Sequence, residues 1–117
     1  RNLLARIYFK KLNKISNFIK LPFYEQDTFY HSWHLFVVLT KQRKELANHL
    51  KQNKIETIFH YPIPPHKQNC FKKNKIYSSS YPLSEKIHNE CISLPISSLH
   101  SELEINYVCD NVLSFFI

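Results

Sequence analysis

The chain has 117 residues, 44% of them apolar and 15% aromatic, with a formal net charge of +7; this suits one ordinary domain with its own core and argues against a disordered segment. It contains no glycine, where about eight would be usual, which excludes every phosphate loop built on glycine, the Walker A and dinucleotide fingerprints included. No apolar run reaches the ~18 residues of a membrane span, no stretch reads as a signal peptide, and the wide, odd set Cys70, Cys91 and Cys109 forms neither a CxxC pair nor a disulfide framework, all in keeping with a reducing cytoplasm.

In chain order, Leu3, Leu4, Ile7, Tyr8, Leu12 and Ile15 recur at helical spacing, predicting an amphipathic helix over residues 3–15. Residues 19–23 read as a short strand ended by Pro22, and 24–30 as an acidic loop. The aromatic and β-branched run at 32–40 predicts a central strand. His34 falls inside it and reads as a packed, hydrogen-bonded residue rather than a ligand. Leu46, Ala47 and Leu50 predict a helix over 42–53, which Asn53 or Lys54 must end without glycine. Residues 55–61 then read as a strand, so that strand, helix and strand resemble a crossover or split β-α-β unit. A short helix is expected over 67–73, and the serine-rich residues 74–80 are the expected mobile segment. Leu83, Ile87 and Cys91 predict a helix over 83–92, and residues 93–97, with Pro95, an edge strand or an isolated bridge. Ser101 and Glu104 form an S-x-x-E capping box that opens the last helix, which buries Ile105, Val108, Val112 and Phe115 or Phe116. The expected core comprises Phe36, Val38, Leu46, Leu50, Ile58, Ile87, Ile105 and Val108. Cys91 and Cys109 are expected to be buried small hydrophobes.

The stretch 55–68 stands out chemically. Its second half carries Pro62, Pro64 and Pro65, which preclude a regular helix or central strand. His60, Tyr61, His66 and Lys67 sit in this stiffened turn, a setting that presents side chains to a ligand. Alternation places Phe59 and His60 on opposite faces. As metal ligands, His60, His66 and Cys70 have the spacing H-x5-H-x3-C, which matches no zinc pattern and lacks a fourth ligand. A thiol nucleophile at Cys70 lacks an orienting group. The positive charge is spread along the chain, with short runs at Lys10-Lys11 and Lys72-Lys73, and reads as a solvated basic surface more readily than as a nucleic-acid site. These residues by themselves describe a small basic α+β domain with a ligand-facing loop.

Several stretches occur in a known order: Arg6-Ile7-Tyr8 before Leu21-Pro22, Trp33-His34-Leu35-Phe36-Val37-Val38, Arg43-Lys44-Glu45-Leu46, Ile55-Glu56-Thr57, the run His60-Tyr61-Pro62-Ile63-Pro64-Pro65-His66, Leu83-Ser84-Glu85-Lys86-Ile87-His88-Asn89-Glu90 and Ser93-Leu94-Pro95-Ile96-Ser97. Together they resemble the C-terminal domain of the DegT/DnrJ/EryC1/StrS family of pyridoxal-phosphate (PLP)-dependent aminotransferases acting on nucleotide-linked keto-sugars. The turn wording is closest to members that aminate C3 of dTDP-3-keto-6-deoxyhexoses. Family members usually have glycine where this chain has Lys54. The resemblance implies an α+β fold, the small C-terminal domain of a fold-type I (aspartate-aminotransferase-like) PLP enzyme, with a short mixed or antiparallel sheet packed on helices. Residues 1–117 would be a single domain of a longer cytoplasmic aminotransferase whose large PLP-binding domain is absent, an expectation shared by the missing initiator methionine. The resemblance further implies that the cofactor lysine lies outside this chain. It assigns His60, Tyr61 and His66 to substrate binding, names glutamate as the amino donor and implies a homodimer when full length, with no nucleic-acid or membrane partner. The alternatives are a non-catalytic binding module or remnant and, on charge alone, a small nucleic-acid-binding protein.

Overall fold

The computed structural model describes residues 1–23 and 31–117; the loop expected at 24–30 lies outside them. Helix α1 (Asn2–Leu12) continues into a 3-10 turn at Asn13–Ile15. Its buried residues Leu4, Ala5, Tyr8 and Leu12 fall on one stripe, as the helical period requires. That stripe packs against α5 (Glu102–Phe116), which buries Ile105, Val108, Cys109 and Val112. Helix α2 (Arg43–Gln52) adds Leu46 and Leu50 to the same core.

The helices cover a small antiparallel sheet of β1 (Phe36–Leu39) and β2 (Cys91–Leu94), in which Phe36 faces Leu94 and Leu39 faces Cys91. An isolated bridge extends the ladder on each side, Lys20 to Leu39 and Ile58 to Ser93. The strands expected at 19–23 and 55–61 are therefore reduced to single bridges. Strand, helix and strand take the split form of the expected unit rather than the plain crossover: the chain after α2 pairs with β2, which lies between it and β1, and both pairings are antiparallel. The expected edge strand at 93–97 lies instead at Cys91–Leu94, is buried throughout, and has a neighbour on both sides. It begins at the residue after α4 (Pro82–Glu90) ends. The proline marks its end: the Pro95 carbonyl accepts a 2.6 Å hydrogen bond from the buried Tyr8 hydroxyl. Burial pushes the Tyr8 phenol above its usual range, and its ring stacks on Phe36 at 4.5 Å.

Six of the eight expected core residues are buried. Ile58 is 60% exposed and Ile87 40%. Ile58 belongs to an extended segment whose alternate residues, Ile55 and Phe59, turn toward the core. Ile87 lies on α4, which fully buries none of its residues. The burial expected of Cys91 and Cys109 is found, and burial pushes the Cys109 thiol up to about 12.

The missing glycine is felt at two places. Lys54 has φ 60° and Trp33 φ 50°, the left-handed region that L-residues enter at a cost. At Lys54 the cost is offset by a Schellman ending to α2: Lys54 N–H donates to Lys51 at 3.0 Å and Ile55 N–H to Leu50 at 2.9 Å, while the Ile55 and Leu50 side chains share the core. Trp33 packs edge-on to Phe9 and against Phe36. It lies before β1, so the expected long central strand is cut to four residues, and His34 is exposed rather than packed.

Candidate functional site

The proline turn departs from the sheet at Ile58. Phe59 turns inward beneath the Arg43 guanidinium, which lies 4.3 Å from the ring centroid. Arg43 is itself buried and donates to the carbonyls of His88 and, at 3.5 Å, Cys91. One cation from α2 thus satisfies acceptors at the C-terminal end of α4, where the helix dipole favours positive charge. His60, next in the chain, is half-buried, and its Nδ1 lies 2.8 Å from the Ser93 hydroxyl on β2. Tyr61 is 65% exposed; its ring meets His60 edge-on at 5.4 Å, and its carbonyl accepts a 2.6 Å hydrogen bond from His88 Nδ1 on α4.

His66 has different surroundings. It sits in a 3-10 turn at Pro65–Lys67, is 6% exposed, and places Nε2 2.9 Å from Glu85 Oε1. The same carboxylate oxygen accepts the Tyr81 N–H at 3.1 Å, at the start of α4. These two contacts, the backbone one first, hold the Glu85 carboxyl below its ordinary range. Lys67 Nζ donates to the carbonyls of Tyr77 and Ser79 at 2.8 and 3.4 Å. The serine-rich stretch accordingly holds a helical turn, α3 (Lys75–Ser78), capped by Asn74. The helix expected over 67–73 is two 3-10 turns, the second at Asn69–Phe71. Of the three sequence-derived site residues, His60 and Tyr61 are brought together, whereas His66 is engaged with α4.

Two clefts flank the turn. One of about 190 Å³ is lined by His34, Glu56, Thr57, Ile58, His60 and Ser93, among others. The other, of about 570 Å³, is lined by Ser80, Tyr81, Leu83, Ser84, Ile87 and His88. Their walls mix apolar surface with a few polar groups, as ligand-binding clefts do. Ser93 and His88 are not singled out from sequence, and His34 is read there as a packed residue rather than a ligand. The only signal for Ser93 and His88 is side-chain type, since their partners lie 33 and 27 residues away along the chain.

Among the described residues no group of three or more His, Cys, Asp or Glu side chains could hold a metal ion. Cys70 is exposed, and His60 and His66 are committed to separate partners.

A family model for the DegT/DnrJ/EryC1/StrS aminotransferase family matches residues 1–113. The chain belongs to the DegT/DnrJ/EryC1/StrS aminotransferase family. A dTDP-3-amino-3,6-dideoxy-alpha-D-galactopyranose transaminase of Aneurinibacillus thermoaerophilus is 44% identical over 102 residues, which cover 86% of this chain and 27% of that protein. A dTDP-3-amino-3,4,6-trideoxy-alpha-D-glucose transaminase of Streptomyces venezuelae is 36% identical, over 82% of this chain and 25% of its own length. The crystal structure of S. venezuelae DesV in complex with a ketimine intermediate superposes with a TM-score of 0.89 at 32% identity, covering 97% of this chain and 30% of that one. NtdA from Bacillus subtilis, with bound cofactor PMP, superposes with a TM-score of 0.82 at 26% identity, over 96% of this chain and 26% of its own. This chain therefore spans between a quarter and a third of the length of these relatives.

DegT/DnrJ/EryC1/StrS enzymes depend on PLP, but the residues present here do not fit its covalent attachment. That chemistry needs a lysine amine withdrawn from water, where it is readily deprotonated. None of the lysines of this chain is buried. The two half-buried ones are committed, Lys11 to Asp110 at 2.7 Å and Lys67 to two backbone carbonyls. The N-terminal turns of α4 and α5, which could otherwise receive a phosphate, carry Glu85 and Glu104.

Proposed function

We propose that this chain is the small C-terminal domain of a PLP-dependent sugar-nucleotide aminotransferase, a cytoplasmic homodimer when complete. The whole enzyme would transfer an amino group from glutamate to a nucleotide-linked keto-sugar, with a dTDP-3-keto-6-deoxyhexose as the substrate class. In this reading residues 1–117 form one domain, and the cofactor's carbanion-stabilising chemistry resides outside it. The observation that carries the reading is the match to dTDP-sugar transaminases over more than four-fifths of the chain, with His60 lining a cleft and the Tyr61 ring against it.

His60, Tyr61 and His66 would form the substrate-binding edge. A histidine and a tyrosine can each hydrogen-bond a sugar hydroxyl or a phosphate oxygen. His66 would contribute by fixing the far end of the turn to Glu85. The exposed Lys72, Lys73 and Lys75 beyond it suit a diphosphate-bearing substrate. No helix among the described residues is long and apolar enough to cross a membrane, and neither a membrane nor a nucleic acid is part of the proposal.

The test is to join the chain to the coding sequence that precedes it and assay glutamate-dependent amination of dTDP-keto-sugars. Activity should appear, and His60→Ala should lower turnover of the folded enzyme, at a stability cost of about 1–3 kcal/mol for the buried Ser93 hydroxyl that it leaves unpaired. A joined protein that folds, carries PLP and aminates none of these sugars would sink the reading.

A further inference from the structure

Two histidines flank Tyr61, and each is tied at Nδ1 to a group whose chemistry dictates where the ring proton sits. The partner of His88 Nδ1 is the Tyr61 carbonyl, at 2.6 Å. A carbonyl only accepts, so Nδ1 carries the hydrogen, and the neutral ring keeps Nε2 as an acceptor. The partner of His60 Nδ1 is the Ser93 hydroxyl, at 2.8 Å. Ser93 is buried on β2, and among the described residues this is its one side-chain hydrogen bond. A buried hydroxyl hydrogen left without an acceptor is costly, and His60 Nδ1 is the acceptor within reach. Ser93 therefore donates, Nδ1 is unprotonated, and the neutral His60 ring carries its hydrogen on Nε2.

We propose that Ser93 is a positioning residue that sets His60 as an N–H donor, and that the Tyr61 carbonyl sets His88 oppositely, as an acceptor. The turn then offers a donor at the smaller cleft, lined by His60, and α4 an acceptor at the larger one, lined by His88. The ligand group at His60 is an oxygen that accepts, such as a sugar carbonyl, hydroxyl or phosphate oxygen. The ligand group at His88 is one that donates, such as a hydroxyl or amine. The assignment to substrate rests on the sugar-nucleotide reading above; the two tautomers do not.

The experiment is 15N-histidine NMR of the 117-residue chain at about pH 8, above the usual imidazole pKa. Long-range couplings should show His60 protonated at Nε2 and His88 at Nδ1. Ser93→Ala should release His60 into a mixture of tautomers and leave His88 unchanged, an internal control that a general loss of structure would not satisfy. Ser93→Thr, which retains the hydroxyl, should restore the wild-type His60 pattern. A wild-type His60 protonated at Nδ1, or already a mixture, overturns the proposal, and that spectrum decides even if the alanine variant does not fold. In the joined enzyme, Ser93→Ala should raise KM for the dTDP-keto-sugar about fivefold, the scale of one misdirected hydrogen bond, with kcat within about twofold. An unchanged KM alongside the expected spectra overturns only the placement of substrate at His60. A joined enzyme without activity overturns the sugar reading and leaves the tautomers to the spectra.

Discussion

The layer of α1, β1, α2, β2 and α5 and the segment formed by the proline turn and α4 are held together by different forces. The first buries a continuous apolar cluster from Leu4 to Val112, where stability follows the area removed from water. In the second, α4 fully buries no residue, and the contacts that fix it are polar and reach far along the chain. Arg43 holds the His88 carbonyl, His88 the Tyr61 carbonyl and His66 the Glu85 carboxylate. An apolar layer tolerates changes of detail as long as its volume is kept. A polar tie fails when either partner is removed, because the other is left unsatisfied. The candidate site lies where the second kind of region meets the first, at His60 and Ser93.

Four perturbations break or sharpen this contrast. The largest effect is expected in the apolar layer, where Phe36→Ala removes a fully buried ring that stacks on Tyr8. Urea unfolding should show a loss of about 3–5 kcal/mol; a loss below about 1 kcal/mol would mean that β1 does not anchor the core. Arg43→Ala should cost about 1–3 kcal/mol, the penalty for unpaired buried acceptors. Hydrogen exchange should quicken in α4 and the turn while α1 and α5 keep their protection. Uniform quickening across all the helices would show that the two regions unfold as one.

A smaller effect, of opposite sign, is expected at the edge of the apolar layer. Lys54→Gly relieves a left-handed residue that the Schellman ending requires, and should raise stability by about 1 kcal/mol. A loss would mean that the Lys54 side chain contributes contacts greater than its strain. The smallest effect should come from acid. Glu85 is lowered by the Tyr81 N–H and then by His66, and Glu104 by the Ser101 backbone and hydroxyl. A carboxylate depressed in the folded state contributes stability at neutral pH. That contribution begins to fade as pH falls toward the ordinary value of 4.5 and is lost through the lower folded values. Fraying should therefore begin at the N-terminal turns of α4 and α5 below about pH 4.5. Backbone NMR would locate it, and Glu85→Gln should remove the α4 part alone.

The same contrast explains how much could be read from sequence. The helices α1, α2 and α5 carry their burial as a 3.6-residue repeat, and Ser101 with Glu104 form the complete capping box, so these elements were legible. The bridges at Lys20 and Ile58 looked like strands because their apolar residues alternate, but each pairs through a single position. β2 was displaced by two residues because Cys91 continues the helical spacing of Leu83 and Ile87, whereas the backbone leaves the helix at Glu90. Ties such as His60 to Ser93 and Tyr61 to His88 join positions 33 and 27 residues apart. No local pattern encodes them. The proline turn could therefore be seen as stiff and ligand-facing without revealing which histidine is open and which, like His66, is enclosed.

The direct passage from α4 to β2 bears on which changes of length the chain can accept. No residue separates Glu90 from Cys91, and the junction is tied on both sides: the Thr40 N–H donates to the Glu90 carbonyl at 3.0 Å, and Arg43 to the carbonyls of His88 and Cys91. One inserted residue has no slack to occupy. Taken up by the helix, it would turn the start of α4 by about 100° relative to the sheet; taken up by the strand, it would send Ser93 to the opposite face. Either outcome separates His60 from Ser93 or His88 from Tyr61. Insertions and deletions should therefore be accepted around the exposed residues 72–74 and 98–99 and rejected at 90–91, so that a screen of single-residue insertions would mark the rigid path from α4 to the candidate site as a gap between two permissive loops.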